Sequence, residues 1–145
     1  MKKYIVVDTW NGVGYSDNNG VEIKQFEDYS PAIGWACGRC EDHTQGNLSD
    51  VSILPNGYGW EGYDEHSGTY QVVETKNVYA VMIRCNVNDV ETLTKDEYYN
   101  KIQELDGLYG EDLDDCLDVE ENGDRFYHSY VDEYDYQFRL IENLD

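Results

Sequence analysis

Three groups of residues in this chain have the types and spacing for chemistry. Cys37-Gly38-Arg39-Cys40 sets two thiols three positions apart and His43 stands three further on, a ligand set that tetrahedral zinc accepts. A fourth ligand would have to come from distant Cys85 or Cys116, and the second close pair that structural zinc sites show is missing. If the segment is helical, Cys37 and Cys40 share one face at i, i+3. The preferred reading is therefore core or idle thiols, with Cys37, Cys40 and His43 kept as the metal candidates and no cofactor expected.

The second group, Asp118-Val119-Glu120-Glu121-Asn122-Gly123, matches the first half of a calcium loop, with oxygen ligands at alternate positions and Gly at the sixth. The twelfth position, which needs a bidentate Glu, is Ser129, and the residues after it read as a strand. A hairpin turn is the better reading, since Asn122-Gly123 is a strong hairpin signal. A dithiol redox role for Cys37 and Cys40 lacks its setting: Ala36 separates Trp35 from the first Cys, and no βαβ pattern surrounds it. His43, His66 and His128 stand in no nucleophile motif, and no phosphate-cradling loop is present. Paired carboxylates are too abundant here for any one pair to signal acid–base catalysis. No enzyme is expected, although a small enzyme with an unfamiliar site stays open as an alternative, as does a zinc or calcium binding module.

The third group is the carboxylates themselves. Between Glu104 and Asp124 ten acids occur in twenty-one residues with no Lys or Arg, within a chain of 145 residues and formal net charge -21. Self-repulsion of that size destabilises a compact state, so it points to solubility, steering or a basic partner as its use. Aromatic residues in Gly-rich stretches, Trp10, Tyr15, Tyr58, Trp60 and Tyr63, either stack on a ligand or complete the core. The two readings balance for Trp60 and Tyr63, and core is favoured for Trp10.

The elements that must position these groups are legible in part. Lys3 to Trp10 reads as a strand, succeeded past the turn signals Asn11-Gly12 and Asp17-Asn18-Asn19-Gly20 by the alternating Val21 to Phe26, as a hairpin with a long loop. Ser30-Pro31 has the form of an N-cap and first helical residue, opening a short helix to Cys40 that its two glycines weaken. Glu41 to Gly68 is irregular around a short strand candidate, Val51 to Leu54. Tyr70 to Glu74 and Val78 to Val87 read as buried strands joined at Thr75-Lys76-Asn77. Thr94 to Glu97 forms a capping box before Tyr98, Tyr99, Ile102 and Leu105 at helical spacing. Leu117 and Val119 should face inward, with Asp118 and Glu120 outside. Arg125 to Val131 and Tyr134 to Leu140 then make two strands about a tight turn near Asp132-Glu133.

The expectation is a single α+β domain over residues 1–145: an antiparallel sheet of hairpins with about two helices packed on one face. Two hairpin-then-helix passages hint at a repeat, with too few matching residues to establish one. No run approaches the roughly 20 apolar residues of a membrane span, and the start shows no secretory pattern, so reduced cysteines and a cytoplasmic location are expected. So acidic a surface is repelled by phosphate backbones and anionic lipid, which excludes direct nucleic-acid and membrane binding. The expected partner is a basic nucleic-acid-binding protein.

In size, net charge and the run Glu111-Asp112-Leu113-Asp114-Asp115, with further acids around Tyr134, the chain resembles the small DNA-mimicking proteins that phages and mobile elements use to block restriction enzymes and other nucleic-acid-guided defences. The resemblance implies an inhibitor in the host cytoplasm that occupies the nucleic-acid site of its target. Glu111, Asp112, Asp114, Asp115, Asp118, Glu120 and Glu121, supported by Asp132, Glu133 and Asp135, are the residues expected to meet that target.

Overall fold

In the computed structural model, which describes residues 3–11, 20–44, 50–62, 67–84, 87–121 and 123–141, the first strand is hydrogen-bonded on both sides. β1 (Tyr4–Asn11) lies between β2 (Gly20–Phe26) and β5 (Ser67–Glu74), and β4 (Gly57–Glu61) and β3 (Val51–Leu54) complete an antiparallel sheet of order β2-β1-β5-β4-β3. Both faces of β1 are buried, Val6 on one and Ile5 and Val7 on the other, as its unbroken apolar run requires. The helix α1 (Tyr29–His43) packs on the Val6 face through Ala32, Ala36 and Cys40, which join Val6, Trp60, Tyr70 and Val72 in one core. Small residues along that helical line leave room for the aromatic side chains of the sheet.

Two sequence expectations shift here. The helix begins at Tyr29, with Asp28 in extended backbone at the N-cap position but no side-chain cap bond, two residues before the expected Ser30 cap. Pro31 then falls within the first turn, where its missing N–H removes no intrahelical bond. The stretch after Leu54, irregular by its sequence pattern, is strand β4. Its Gly57 lies so close to β5 that a Cβ there would run into the Tyr70 carbonyl oxygen. A glycine that reads as a loop residue is here a close-packed strand residue.

The remaining elements form a second sheet: β6 (Ala80–Arg84), β7 (Asp89–Leu93), β8 (Asp118–Val119), β9 (Arg125–Val131) and β10 (Tyr134–Leu140), in the antiparallel order β7-β6-β10-β9-β8. With them are α2 (Lys95–Asp106) and the short α3 (Gly110–Asp114). The capping box of α2 is formed, with Thr94 accepting from the Glu97 N–H and Glu97 accepting from the Thr94 N–H, and Gly107 ends the helix in left-handed backbone at φ 69°. Tyr98 and Ile102 of α2 and Leu113 of α3 pack on Met82, Tyr127, Phe138 and Leu140.

The protein is α+β, as expected, with two five-stranded sheets instead of one among the described residues and three helices against the expected about two; the elements divide between two compact units. The first unit holds β1 to β5 with α1, the second β6 to β10 with α2 and α3. β5 and β6 do not pair across Thr75-Lys76-Asn77, because each finds its partner at the far end of its own unit. β7, which the sequence pattern does not show, pairs with β6 where a single strand from Val78 to Val87 is expected. The Asn122 half of the Asn-Gly signal, Tyr15, Tyr63, His66 and Cys85 lie outside the described residues, as do residues 12–19 with most of both turn signals between β1 and β2.

The hint of a repeat is realised as topology. Each unit runs strand, strand, helix, then three strands, with the short α3 added before those strands in the second, and each sheet has the same order counted within its unit. The caps Asp28 and Thr94 both stand four residues before the first buried helical residue, Ala32 or Tyr98, and eight before the second, Ala36 or Ile102. The final strands carry Tyr70-Gln71-Val72 and Phe138-Arg139-Leu140, each with a buried polar residue between two core residues. No helix of the described residues is long and apolar enough to cross a membrane.

Candidate functional site

The acids singled out in the sequence all fall in the second unit, and the structure divides them. Glu111, Asp112, Asp114 and Asp115 stand exposed on or at the end of α3, whose sole buried residue is Leu113. Asp118 on β8 and Glu121 in the adjoining turn are exposed as well. The turn closes as a hairpin, with Gly123 N–H donating to the Glu120 carbonyl and Glu120 N–H to that of Asp124. Val119, expected to face inward, is 63% exposed on β8, a two-residue strand at the edge of its sheet.

Other members of the set have internal duties. The Glu120 carboxylate accepts from Arg139 Nη1 at 2.6 Å, and Arg139 is buried with its guanidinium 4.3 Å from the Phe126 ring centre. Asp114 accepts from the Tyr99 hydroxyl at 3.2 Å. Asp135 is half-buried and paired with His128. Asp132 and Glu133 are exposed at the tip between β9 and β10, both in left-handed backbone, φ 53° and 70°.

A second constellation, on the helix-covered face of the first unit, was not legible in the sequence. Strand register sets Glu22, Asp8, Tyr70 and Tyr58 in one cross-strand row, and Trp10, Gly68 and Trp60 in the next. Gly68 is what lets the Trp60 indole lean over β5, since a Cβ there would come 2.6 Å from Trp60 Nε1. The last turns of α1 pass above these rows. His43 stacks on Trp60 with ring centres 4.2 Å apart and planes at 6°, and Trp35 meets Tyr70 edge-on at 5.5 Å.

Tyr70 is the hub of the polar contacts. Its hydroxyl lies 2.7 Å from His43 Nε2, is hydrogen-bonded to Asp8, and accepts from Arg39. With one proton to donate, and that proton best given to the carboxylate, Tyr70 must accept from both Arg39 and His43, which assigns the His43 proton to Nε2. Burial, then the nearby Arg39 charge, holds the His43 imidazole below its ordinary range, so it is neutral near pH 7. Burial and then the Asp8 charge push the Tyr70 hydroxyl well above its usual range, so it is no nucleophile at neutral pH. Asp8 is only 7% exposed; burial first, and then Glu22 across the strand pair, raise its carboxyl to about 7 against the opposing pull of Tyr70 and Arg39.

These side chains line an open cavity of about 290 Å³ bounded by Asp8, Trp10, Glu22, Arg39, His43, Trp60 and Tyr70. Trp10, expected in the core, is half-buried at its edge. The second unit has a cavity of about 260 Å³ in the same topological place, between its first hairpin, its helix and its last strand, but there Arg84 pairs with Asp89 and Lys101 joins Glu91 in the lining. A buried carboxylate and two indoles distinguish the first.

The metal candidates do not converge. Cys40 is buried in the core with its thiol pushed up to about 12, chiefly by burial, while Cys37 donates to Glu41 at 3.6 Å and His43 is turned to Trp60 and Tyr70. Among the described residues no three His, Cys, Asp or Glu side chains are grouped to hold an ion. The sequence signal that marks the aromatic cavity is the acid in Tyr4-Ile5-Val6-Val7-Asp8, placed at a period-two position that the strand buries. Comparison with protein-family models, curated proteins and solved structures gave no match to this chain.

Proposed function

We propose that this chain is an acidic inhibitor of a basic nucleic-acid-handling protein in the host cytoplasm, of the kind that phages and mobile elements carry against host defence, and that it acts by occupying the nucleic-acid site. The observation that carries the reading is the exposure of Glu111, Asp112, Asp115, Asp118 and Glu121 along one continuous stretch of the second unit, in a chain of net charge -21. Helical neighbours at i, i+3 or i+4 lie about 5–6 Å apart, and alternate residues of a strand roughly 6.6 Å apart. Those are separations near that of successive backbone phosphates. A cationic groove that meets such a surface releases water and counterions as it does on a duplex, with fast, salt-sensitive association.

The test is capture from host lysate at low and high salt, then displacement of a labelled duplex from each captured protein. The informative variant combines Glu111→Gln, Asp112→Asn, Asp115→Asn, Asp118→Asn and Glu121→Gln. It spares Glu120 and Asp114, which hold Arg139 and Tyr99. The native chain should capture a nucleic-acid-binding protein and displace its duplex, less well at high salt, while the variant folds and does neither. Equal capture and displacement by the variant would overturn the proposal.

A further inference from the structure

We infer that the aromatic cavity of the first unit is a binding site for a single guanidinium cation, held against the half-buried Trp10 indole by the carboxylates of Asp8 and Glu22, with the buried Trp60 forming the opposite wall. It stands independently of the acidic surface on the second unit.

The first argument is charge. Asp8 and Glu22 are direct cross-strand partners, a relation that puts Cβ atoms about 4.5–5.5 Å apart and destabilises like charges. The groups facing them from the packed elements are Arg39 and His43 of α1 and Tyr70 of β5. Of these only Arg39 is cationic, and its guanidinium is turned to the Tyr70 hydroxyl and, at 3.6 Å, to the exposed Asp42 one turn along α1. Within the lining Asp8 and Glu22 therefore outnumber Arg39, and Lys24, on the same face of β2 as Glu22, is turned to the Trp35 ring at 4.9 Å. The cavity also lies under the C-terminal turn of α1, the negative end of the helix dipole.

The second argument is shape. Indole faces attract cations, and a flat, weakly hydrated guanidinium stacks on them while bonding to carboxylates through its edge, which a compact ammonium does less well. A volume of about 290 Å³ suits one side-chain-sized ligand. His43 braces the wall by stacking on Trp60 from the helix side. Cation binding favours ionised Asp8, so affinity should rise as pH passes upward through the region of its titration near 7.

The probe is ethylguanidinium, titrated into the full chain while the indole N–H signals are monitored by NMR, with ethylammonium and neutral ethylurea as controls at constant ionic strength. Ethylguanidinium should shift the Trp10 and Trp60 signals saturably, more tightly at pH 8 than at pH 6. Asp8→Asn, Glu22→Gln and Trp10→Ala should each weaken it, Asp8→Asn by about tenfold or more. The five-acid variant of the second unit should bind it unchanged, which separates this site from general attraction to an acidic protein. A blocked arginine within a short peptide distinguishes the sources: tighter binding than the free cation assigns a partner's arginine, and equal binding a small guanidine. Absence of a saturable shift, an equal response to ethylurea, or full binding in both Asp8→Asn and Glu22→Gln would overturn the inference.

Discussion

His43 lies flat on Trp60 at 4.2 Å while its Nε2 reaches the Tyr70 hydroxyl at 2.7 Å, so one side chain at the end of α1 both covers an indole and satisfies a buried phenol. Replacing it by Ala removes the stack and leaves Tyr70 one donor short. His43→Ala should destabilise the protein by about 1–3 kcal/mol in urea unfolding. His43→Gln, which restores a donor without the ring, should recover part of that loss. If neither variant shifts the unfolding midpoint, the contact carries no stability.

Asp8 links the same cluster to pH. Its folded carboxyl titrates near 7 against an ordinary 3.8, so between those values the folded state holds more protons than the unfolded. That contribution is fully present below about pH 4 and is lost as pH rises through 7. Asp8→Asn cannot lose it, so the variant should gain on the native chain by on the order of 1–3 kcal/mol between pH 5 and pH 8. Parallel urea titrations at the two pH values measure the difference. A gap that is constant or reversed would show that Asp8 is not held protonated by the fold.

The second unit makes a sharper distinction among acids that look alike in sequence. Both Glu120 and Glu121 are exposed, but the Glu120 carboxylate also offsets a buried guanidinium, that of Arg139. Glu120→Gln should cost about 1–3 kcal/mol by weakening the compensation of Arg139. Glu121→Gln should change stability by less than about 0.5 kcal/mol. Thermal melts of the two variants side by side give the comparison.

Gly34 and Gly38 sit within α1 with open space where a Cβ would stand. Each lowers the helix's intrinsic stability relative to Ala, so Gly34→Ala and Gly38→Ala should each stabilise the first unit by about 0.5–1 kcal/mol. The two positions are i, i+4 neighbours on one face of the helix, so the double variant also reads any coupling between the two methyl groups. Melting of the single and double variants tests both the sign and the additivity.

Local chemistry made some of this readable without coordinates. Thr94 and Glu97 satisfy each other within four residues, and Tyr98 and Ile102 come next at helical spacing, so the start and the buried face of α2 were legible. The turn at Asp132-Glu133 and the alternation through Tyr134 to Leu140 were equally plain. β4 is hidden because its glycines serve close packing against β5 and Ser52, and in sequence they look like a loop. β7 is hidden because Asp89-Val90-Glu91-Thr92-Leu93 is an edge strand with little burial.

The sequence by itself determined the charge, the α+β class, the securely capped helix and the tight turns, because each rests on composition or on residues a few positions apart. Only the tertiary structure decided the division into two like-ordered units and the cavity of the first. Both depend on pairing β1 with β5, which sets Asp8 opposite Tyr70 and places Trp10 and Trp60 on either side of Gly68. Side chains fifty or more residues apart are joined there by register and burial, and a pattern read along the chain has no term for either.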